Sequence, residues 1–267
     1  MSDPLHLVRC RIDASRLYGF ARRSRAATAR EFDEGYAVHA LFAALFDHGA
    51  AQPDRVAPKP FRVAASRKPN AGVPRWPGRW LEVLGYAAVD HRELARRATS
   101  SADPSSTGVC DLGTIASKPL PPSFERGARL GFSVRICPVA RIARRGPMER
   151  DRAEVDAYVA HRWQIGGDEP ADRETVYAGW LRDELRKEDA ATLVQGTMTG
   201  FQLRHLYRRT QGAERKSHRT DRPDVTFDGV LQVGDPDAFL RRLARGVGRH
   251  RAFGFGMLLL RPVASGR

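Results

Sequence analysis

The sequence predicts an α+β protein: two βαββαβ units in tandem, each a ferredoxin-like (RRM-like) arrangement, with a glycine-rich loop near the C-terminus. Three observations predict this. Segments of period two, expected of strands, alternate with segments of period 3.6, expected of helices. The order strand–helix–strand–strand–helix–strand can be traced through the first half and again through the second. A chain of 267 residues with 42% apolar content can also supply two ordinary hydrophobic cores. The expected domains are 1–126 and 127–267.

In the first half, "LHLVRCRI" (5–12) alternates apolar and polar residues and reads as a strand. An Arg/Ala/Ser-rich loop follows. "DEGYAVHALFAALFD" (33–47) reads as a helix, with Val38, Leu41, Phe42 and Leu45 at helical spacing. "PFRVAAS" (60–66) and "RWLEVLGYAAV" (79–89) are strand candidates around a Pro/Gly-rich loop at 69–78. "DHRELARRA" (90–98) is a short helix opened by Asp90, and 99–108 reads as a loop. The last strand of this unit has no clear signature.

In the second half, "RLGFSVRICPVARI" (129–142) reads as a strand. Helices are expected at 151–163 and 173–189, and strands at 191–209 and 225–234. The final helix has Asp235 as N-cap, Pro236 at its first position and Gly246 just past its end. "FGFGMLLLRPV" reads as a closing strand, with Phe253 and Phe255 on one face and Gly254 and Gly256 on the other.

The charge balance points to a class of partner. Forty-five Lys and Arg against 31 Asp and Glu leave a net charge of +14. Nucleic acid is the first partner such a surface suggests, and an anionic membrane the second. No apolar run is long enough to span a bilayer, and "MSDPLHLVRC" has neither part of a signal peptide. Cys10, Cys110 and Cys137 are odd in number and scattered, which suits reduced thiols in the cytoplasm. Neither they nor the eight histidines show metal-ligand spacing, so no metal and no cofactor is expected.

"FLRRLARGVGRHRAFGFGMLLLRP" (239–262) sets Gly246, Gly248, Gly254 and Gly256 among arginines, a histidine and two phenylalanines. It is no P-loop, because no Lys-Ser/Thr follows a glycine. Nor is it a dinucleotide fingerprint, because the glycines follow a helix and precede a strand. Bare backbone beside Arg249, His250 and Arg251 could meet phosphate oxygens with side chains and N–H groups together. A tight turn that only lets helix and strand pack closely is the plainer alternative.

The stretch "VTFDGVLQVGDPDAFLRRLARGVGRHRAFGFGMLLLRP" resembles the C-terminal signature of the CRISPR repeat-RNA endoribonucleases, above all the CasE branch of subtype I-E systems. Phe227, Gly229 and Leu231 match its strand. Asp235-Pro236 with Phe239 matches its helix, and Gly246 through Gly256 matches its loop. The resemblance implies tandem ferredoxin-like domains, a repeat stem-loop as the RNA partner, metal-independent cutting at the base of the stem, and membership of the Cascade complex. It also implies an active site in a Tyr-x-x-His pattern, here Tyr36-Ala37-Val38-His39. Three residues apart on a helix, the two rings point to one side. Centring the apolar stripe on Val38, Leu41, Phe42 and Leu45 puts Tyr36 nearly opposite it and His39 on its flank. Without a metal, the RNA's own 2′-OH attacks the adjacent phosphate and leaves a 2′,3′-cyclic phosphate and a 5′-OH. Histidine can act as base or acid in such a step, and tyrosine can hold the 2′-OH in line. A cation is wanted for the equatorial oxygens, with Arg249 and Arg251 as candidates.

Residues 201–224 form a basic arm with Arg204, Arg208, Arg209, Arg215 and Lys216, whose polar tip suggests a β-hairpin. The resemblance implies that it grips the RNA stem, and a solvated loop is the plainer alternative. Phe201, Leu203 and Tyr207 would make its apolar face. Arg22, Arg23 and Arg25, Arg144 and Arg145, and Arg241, Arg242 and Arg245 could extend the RNA surface. Trp76, Trp80, Trp163 and Trp180 are expected at the core or its boundary. The rival reading is an assembly subunit that binds the same hairpin and does not cut it.

Overall fold

The structure, a computed structural model, describes residues 4–24, 26–27, 32–48, 55–64, 80–101, 105–106, 108–143, 152–166, 171–209 and 217–263. It divides into two compact units. The first comprises Met1–Pro122, Leu206–Thr220 and Arg251–Met257, and the second comprises Ser123–His205, Asp221–His250 and Leu258–Arg267. The loop at 69–78 lies outside the described residues, as do Arg25, Trp76, Arg144, Arg145, Arg215 and Lys216.

The first unit runs β1 (His6–Asp13), α1 (Ala14–Arg23), α2 (Glu34–Phe46), β2 (Phe61–Val63), β3 (Trp80–Ala87), α3 (His91–Ser101) and β4 (Ala116–Pro119). Its sheet has the order β2-β3-β1-β4 and its paired strands are antiparallel, with His6 opposite Ala87 and Asp13 opposite Trp80. This is the βαββαβ order the sequence predicts. Alternation in β1 buries Val8, Cys10 and Ile12 and leaves Arg9 and Arg11 outside. Val38, Leu41, Phe42 and Leu45 of α2 fill the core with them.

Two features of this unit differ from the sequence reading. The segment read as an Arg/Ala/Ser loop begins with α1. The Asp13 carboxylate accepts from the backbone N–H of Ser15 and Arg16, at 3.0 and 3.2 Å, and caps the helix. Leu17, Phe20 and Ala21 form a buried i, i+3, i+4 stripe that the surrounding arginines mask in the sequence. In addition, α3 runs on to Ser101, past the expected end at residue 98. The strand that could not be placed is β4, a four-residue edge strand, Ala-Ser-Lys-Pro, with no fully buried residue. An edge strand this short needs no apolar alternation.

The second unit runs β5 (Arg129–Ile136), β6 (Val139–Ala143), β7 (Arg152–Asp156), α4 (Ala157–Gln164), α5 (Arg173–Arg186), β8 (Ala191–Arg209), β9 (Ser217–Val233), α6 (Pro236–Arg245) and β10 (Leu258–Pro262). Its sheet, β10-β5-β9-β8, repeats the order of the first unit. Phe132, Val134 and Ile136 of β5 are buried with Val225, Phe227 and Leu231 of β9, which it pairs antiparallel. The single strand expected over 129–142 is two strands, broken at Cys137-Pro138, because proline has no N–H to continue a ladder. The helix expected at 151–163 starts only at Ala157. Residues 152–156 pair with β6 instead, and Asp156 caps the helix by accepting from Tyr158 N at 2.8 Å. β9 begins eight residues earlier than expected, at Ser217 rather than 225, which lengthens the hairpin with β8.

Cys10, Cys110 and Cys137 are buried, unbridged thiols. Among the described residues no helix is long and apolar enough to cross a membrane.

Candidate active site and glycine-rich loop

Helix α2 positions the Tyr-x-x-His pair. Asp33 caps it by accepting from Tyr36 N at 2.9 Å, which sets the first turn on which Tyr36 sits. The Tyr36 and His39 rings follow on one side of the helix, with centroids 6.5 Å apart. The sequence reading left Tyr36 opposite the core. In the structure it is half-buried against the core, and its ring stacks on Phe253 at 5.5 Å with planes 23° apart. Gly35 makes this approach possible: a Cβ there would lie 2.2 Å from the Phe253 carbonyl oxygen.

His39 sits in a desolvated, cationic setting. Burial, then the charges of Lys59 and Arg55, pull its pKa from 6.5 down to about 4, against an opposing contribution from Asp47. The side chain of Lys59 reaches solvent, yet partial burial of its ammonium, then Arg251 and Arg55, hold it below the ordinary lysine range. Asp47 organises this group. At the end of α2 its Oδ1 accepts from Val56 N and Ala57 N, at 2.7 and 2.9 Å, tying the segment that leads to Lys59 to the helix. Lys59 N in turn donates to Tyr86 O of β3 at 2.8 Å. Sequence reasoning missed Lys59, Arg55 and Asp47. They lie in "DHGAAQPDRVAPKP", which has no periodicity and no motif to mark single charged residues.

The imidazole of His39 is therefore neutral near pH 7. Its depressed pKa contributes stability that is complete above about pH 6.5 and is lost as the pH falls through about 4, because the unfolded chain takes up the proton first. The expected NMR titration of the His39 ring has its midpoint near pH 4, and a midpoint at 6.5 would contradict this environment.

The glycine-rich loop departs from the strand that was expected. Gly246, Gly248, Gly254 and Gly256 have φ of 77°, 70°, 80° and 85°, all left-handed, and Arg251–Phe253 form a 3-10 turn. The strand begins only at Leu258. Phe253 and Phe255 are buried, and so are Gly254 and Gly256, so the two sets do not divide into opposite faces of a strand. Gly248 lies under the Trp180 ring, where a Cβ would come within 2.5 Å of a ring carbon. Trp180 is fixed by its own N–H, which donates to Val139 O at 3.2 Å. Arg249 and His250 both contact Glu154, with His250 Nε2 at 2.9 Å from Glu154 Oε2. Arg251 instead groups with the first unit, within electrostatic reach of Lys59. The loop's basic residues thus divide: Arg251 joins the surroundings of His39, whereas Arg249 and His250 serve a second cluster.

In the basic arm, Arg204 Nη1 lies 3.9 Å from Asp224 Oδ2. Asp224, only 5% exposed, is held by two hydrogen bonds from Arg135 at 2.7 and 2.8 Å and one from Gln202 at 2.7 Å. Arg208 and Arg209 belong to β8. The apolar face expected of this strand is largely open: Phe201 and Leu203 are exposed, and Phe201 lies against the Arg173 guanidinium at 4.6 Å. Trp163, expected at the core or its boundary, is 64% exposed. Arg22 and Arg23 are exposed. Arg241 and Arg245 face Glu188 at 3.5 and 3.2 Å, and Arg242 donates to Lys187 O at 3.3 Å, so this arginine face is partly offset by its own neighbours.

Comparison with known proteins agrees with this architecture. The CRISPR-associated endoribonuclease Cse3 of Thermus thermophilus is 29% identical to this chain over 147 residues, which cover 54% of this chain and 61% of that relative's length. The structure of T. thermophilus Cse3 bound to an RNA representing a pre-cleavage complex superposes with a TM-score of 0.58 at 18% identity, covering 97% of this chain and all of that one. Cas6e from Escherichia coli K-12 gives 0.56 at 18% identity, again over 97% of this chain and all of that one. Both share the fold of two ferredoxin-like units. The family model described as CRISPR associated protein matches residues 5–262, nearly the whole length, and the chain belongs to that family.

Proposed function

We propose that the protein is a metal-independent endoribonuclease that binds the repeat stem-loop of a precursor CRISPR RNA, cuts it once and keeps the product as a subunit of the Cascade complex. The observation that carries the reading is the pairing of Tyr36 with a neutral His39 one helical turn away, in a setting supplied with Lys59, Arg55 and Arg251.

The chemistry follows from the protonation states. His39, neutral near pH 7, accepts the proton of the attacking 2′-OH. The 2′-oxygen bonds to phosphorus as the P–O5′ bond breaks, giving a 2′,3′-cyclic phosphate. The leaving 5′-oxygen takes a proton from water to give the 5′-OH, after which His39 returns its proton to solvent. The Tyr36 hydroxyl, its ring held on Phe253, orients the 2′-OH or donates to a phosphate oxygen. Lys59 and Arg251 meet the negative charge that builds on the non-bridging oxygens, in a site where burial strengthens such contacts. The first unit, with Arg251 and Phe253 in it, supplies this machinery, and Arg249, His250 and the basic arm hold the stem through its backbone.

The test uses purified protein, a labelled repeat hairpin from the same genome, and EDTA throughout. The expected result is one cut that leaves a cyclic phosphate, with a substrate carrying a 2′-deoxy nucleotide at the cut bound and left whole. A hairpin bound tightly and never cut would mean that the chain is a non-catalytic assembly subunit.

A further inference from the structure

Glu154 is an acid in a place expected to meet a polyanion. It stands on β7, opposite Arg141 of β6, in a hairpin that is added to the βαββαβ plan of the second unit. One of its carboxylate oxygens pairs with Arg249 Nη1. The other lies 2.9 Å from His250 Nε2 and 3.6 Å from Arg222 Nη2. Burial pushes the Glu154 pKa up, but Arg249, His250 and Arg222 together hold it below the usual carboxylate range.

The loop is thereby pinned at two points: Gly248 beneath the Trp180 ring, and Arg249 with His250 on Glu154. His250 has φ of 58°, a backbone state that a non-glycine residue keeps only where its surroundings fix it. Two guanidinium groups and an imidazole converge on one carboxylate, so the charges of Arg222 and Arg249 exceed the single charge of Glu154. The Nε of Arg222 is buried without a hydrogen-bond partner among the described residues. Arg249, by contrast, is 41% exposed and presents the cluster to solvent. A further negatively charged hydrogen-bond acceptor completes this set.

We propose that Glu154 is a positioning residue for RNA recognition: it fixes Arg222, Arg249 and His250 as a preset receptor for one phosphodiester of the RNA stem-loop. The proposal rests on the RNA-processing reading above and assigns it a determinant of specificity. Mobile arginines bind any polyanion, whereas held ones lose less freedom on binding and accept only a backbone of the right shape. The acid weakens general attraction to RNA and sharpens the choice of which RNA is bound.

The test measures dissociation constants at one fixed salt concentration for the uncleavable 2′-deoxy hairpin and for an unpaired RNA strand of the same composition. Wild type, Glu154→Gln and Arg249→Lys are compared, with circular dichroism to confirm folding. Glu154→Gln is expected to lower the preference for the hairpin about tenfold, with hairpin affinity falling while strand affinity holds or rises. Arg249→Lys, at a partly exposed site, is expected to cost about fivefold in the same preference, and adding it to Glu154→Gln changes little further. If Glu154→Gln binds both RNAs more tightly by one factor, the acid only dilutes charge and the proposal is overturned. Should Glu154→Gln fail to fold, an unchanged preference in Arg249→Lys overturns it equally. A wild-type protein with no preference for the hairpin would refute the RNA-processing reading itself, a failure distinct from either of these.

Discussion

Replacing His39 by alanine is expected to slow single-turnover cleavage of the repeat hairpin by about a thousandfold, the scale of a lost general base, while leaving hairpin affinity within about threefold. The asymmetry follows from the setting of the ring. His39 is half-buried and neutral, so it adds no charge to the attraction for RNA, and the role proposed for it is confined to moving the 2′-OH proton. A rapid-quench rate with enzyme in excess, set beside a binding curve on the 2′-deoxy hairpin, separates the two quantities. A His39→Ala protein that cuts at the wild-type rate would end the assignment. One that neither binds nor cuts would make His39 a structural residue. Tyr36→Phe keeps the stack on Phe253 and removes only the hydroxyl, and it is expected to cost about tenfold in the same rate.

Gly35→Ala is expected to lower cleavage by at least about a hundredfold and to lower the melting temperature as well. Helix propensity alone predicts the opposite sign, since alanine is favoured over glycine in a helix by about 1 kcal/mol. The decisive fact is what the new methyl group meets. A Cβ at Gly35 would lie 2.2 Å from the Phe253 carbonyl oxygen and 2.5 Å from its carbon, and both are backbone atoms that cannot turn aside. The turn Arg251–Phe253 must then lift from α2, taking with it the ring on which Tyr36 stacks and the guanidinium near Lys59. Thermal unfolding followed by circular dichroism, together with the single-turnover rate, checks both effects. An unchanged rate in a folded Gly35→Ala protein would show that the contact has no catalytic consequence.

Much of the architecture was legible because burial leaves a periodic trace. β1 alternates apolar and polar residues, α2 carries Val38, Leu41, Phe42 and Leu45 at helical spacing, and Asp235, Pro236 and Gly246 mark the ends of α6 in the chain itself. Elements without such a trace were lost. α1 hides Leu17, Phe20 and Ala21 among arginines, β4 is an edge strand with almost nothing to bury, and β7 reads as the start of α4. The same division holds at the candidate site. Tyr36 and His39 are three residues apart on one helix, so local spacing brings them together. Lys59, Arg251 and Phe253 join them only through folding, and no spacing rule relates position 36 to position 253. The final strand was misplaced because alternating Phe and Gly resembles a strand, whereas positive φ at Gly254 and Gly256 interrupts one.

The segment Arg251–Met257 groups with a unit whose other residues are mostly made far earlier by the ribosome. Until Phe253 arrives, the Gly35 face of α2 lacks its cover and Tyr36 lacks its stacking partner. Closing so distant a contact is among the later events of folding, since the chain between must be ordered first. A chain that ends before Arg251 therefore carries Tyr36 and His39 without the ring and the charge that complete their surroundings. On the proposed reading, cleavage waits until the glycine-rich loop has been made, because Phe253 and Arg251 come with it.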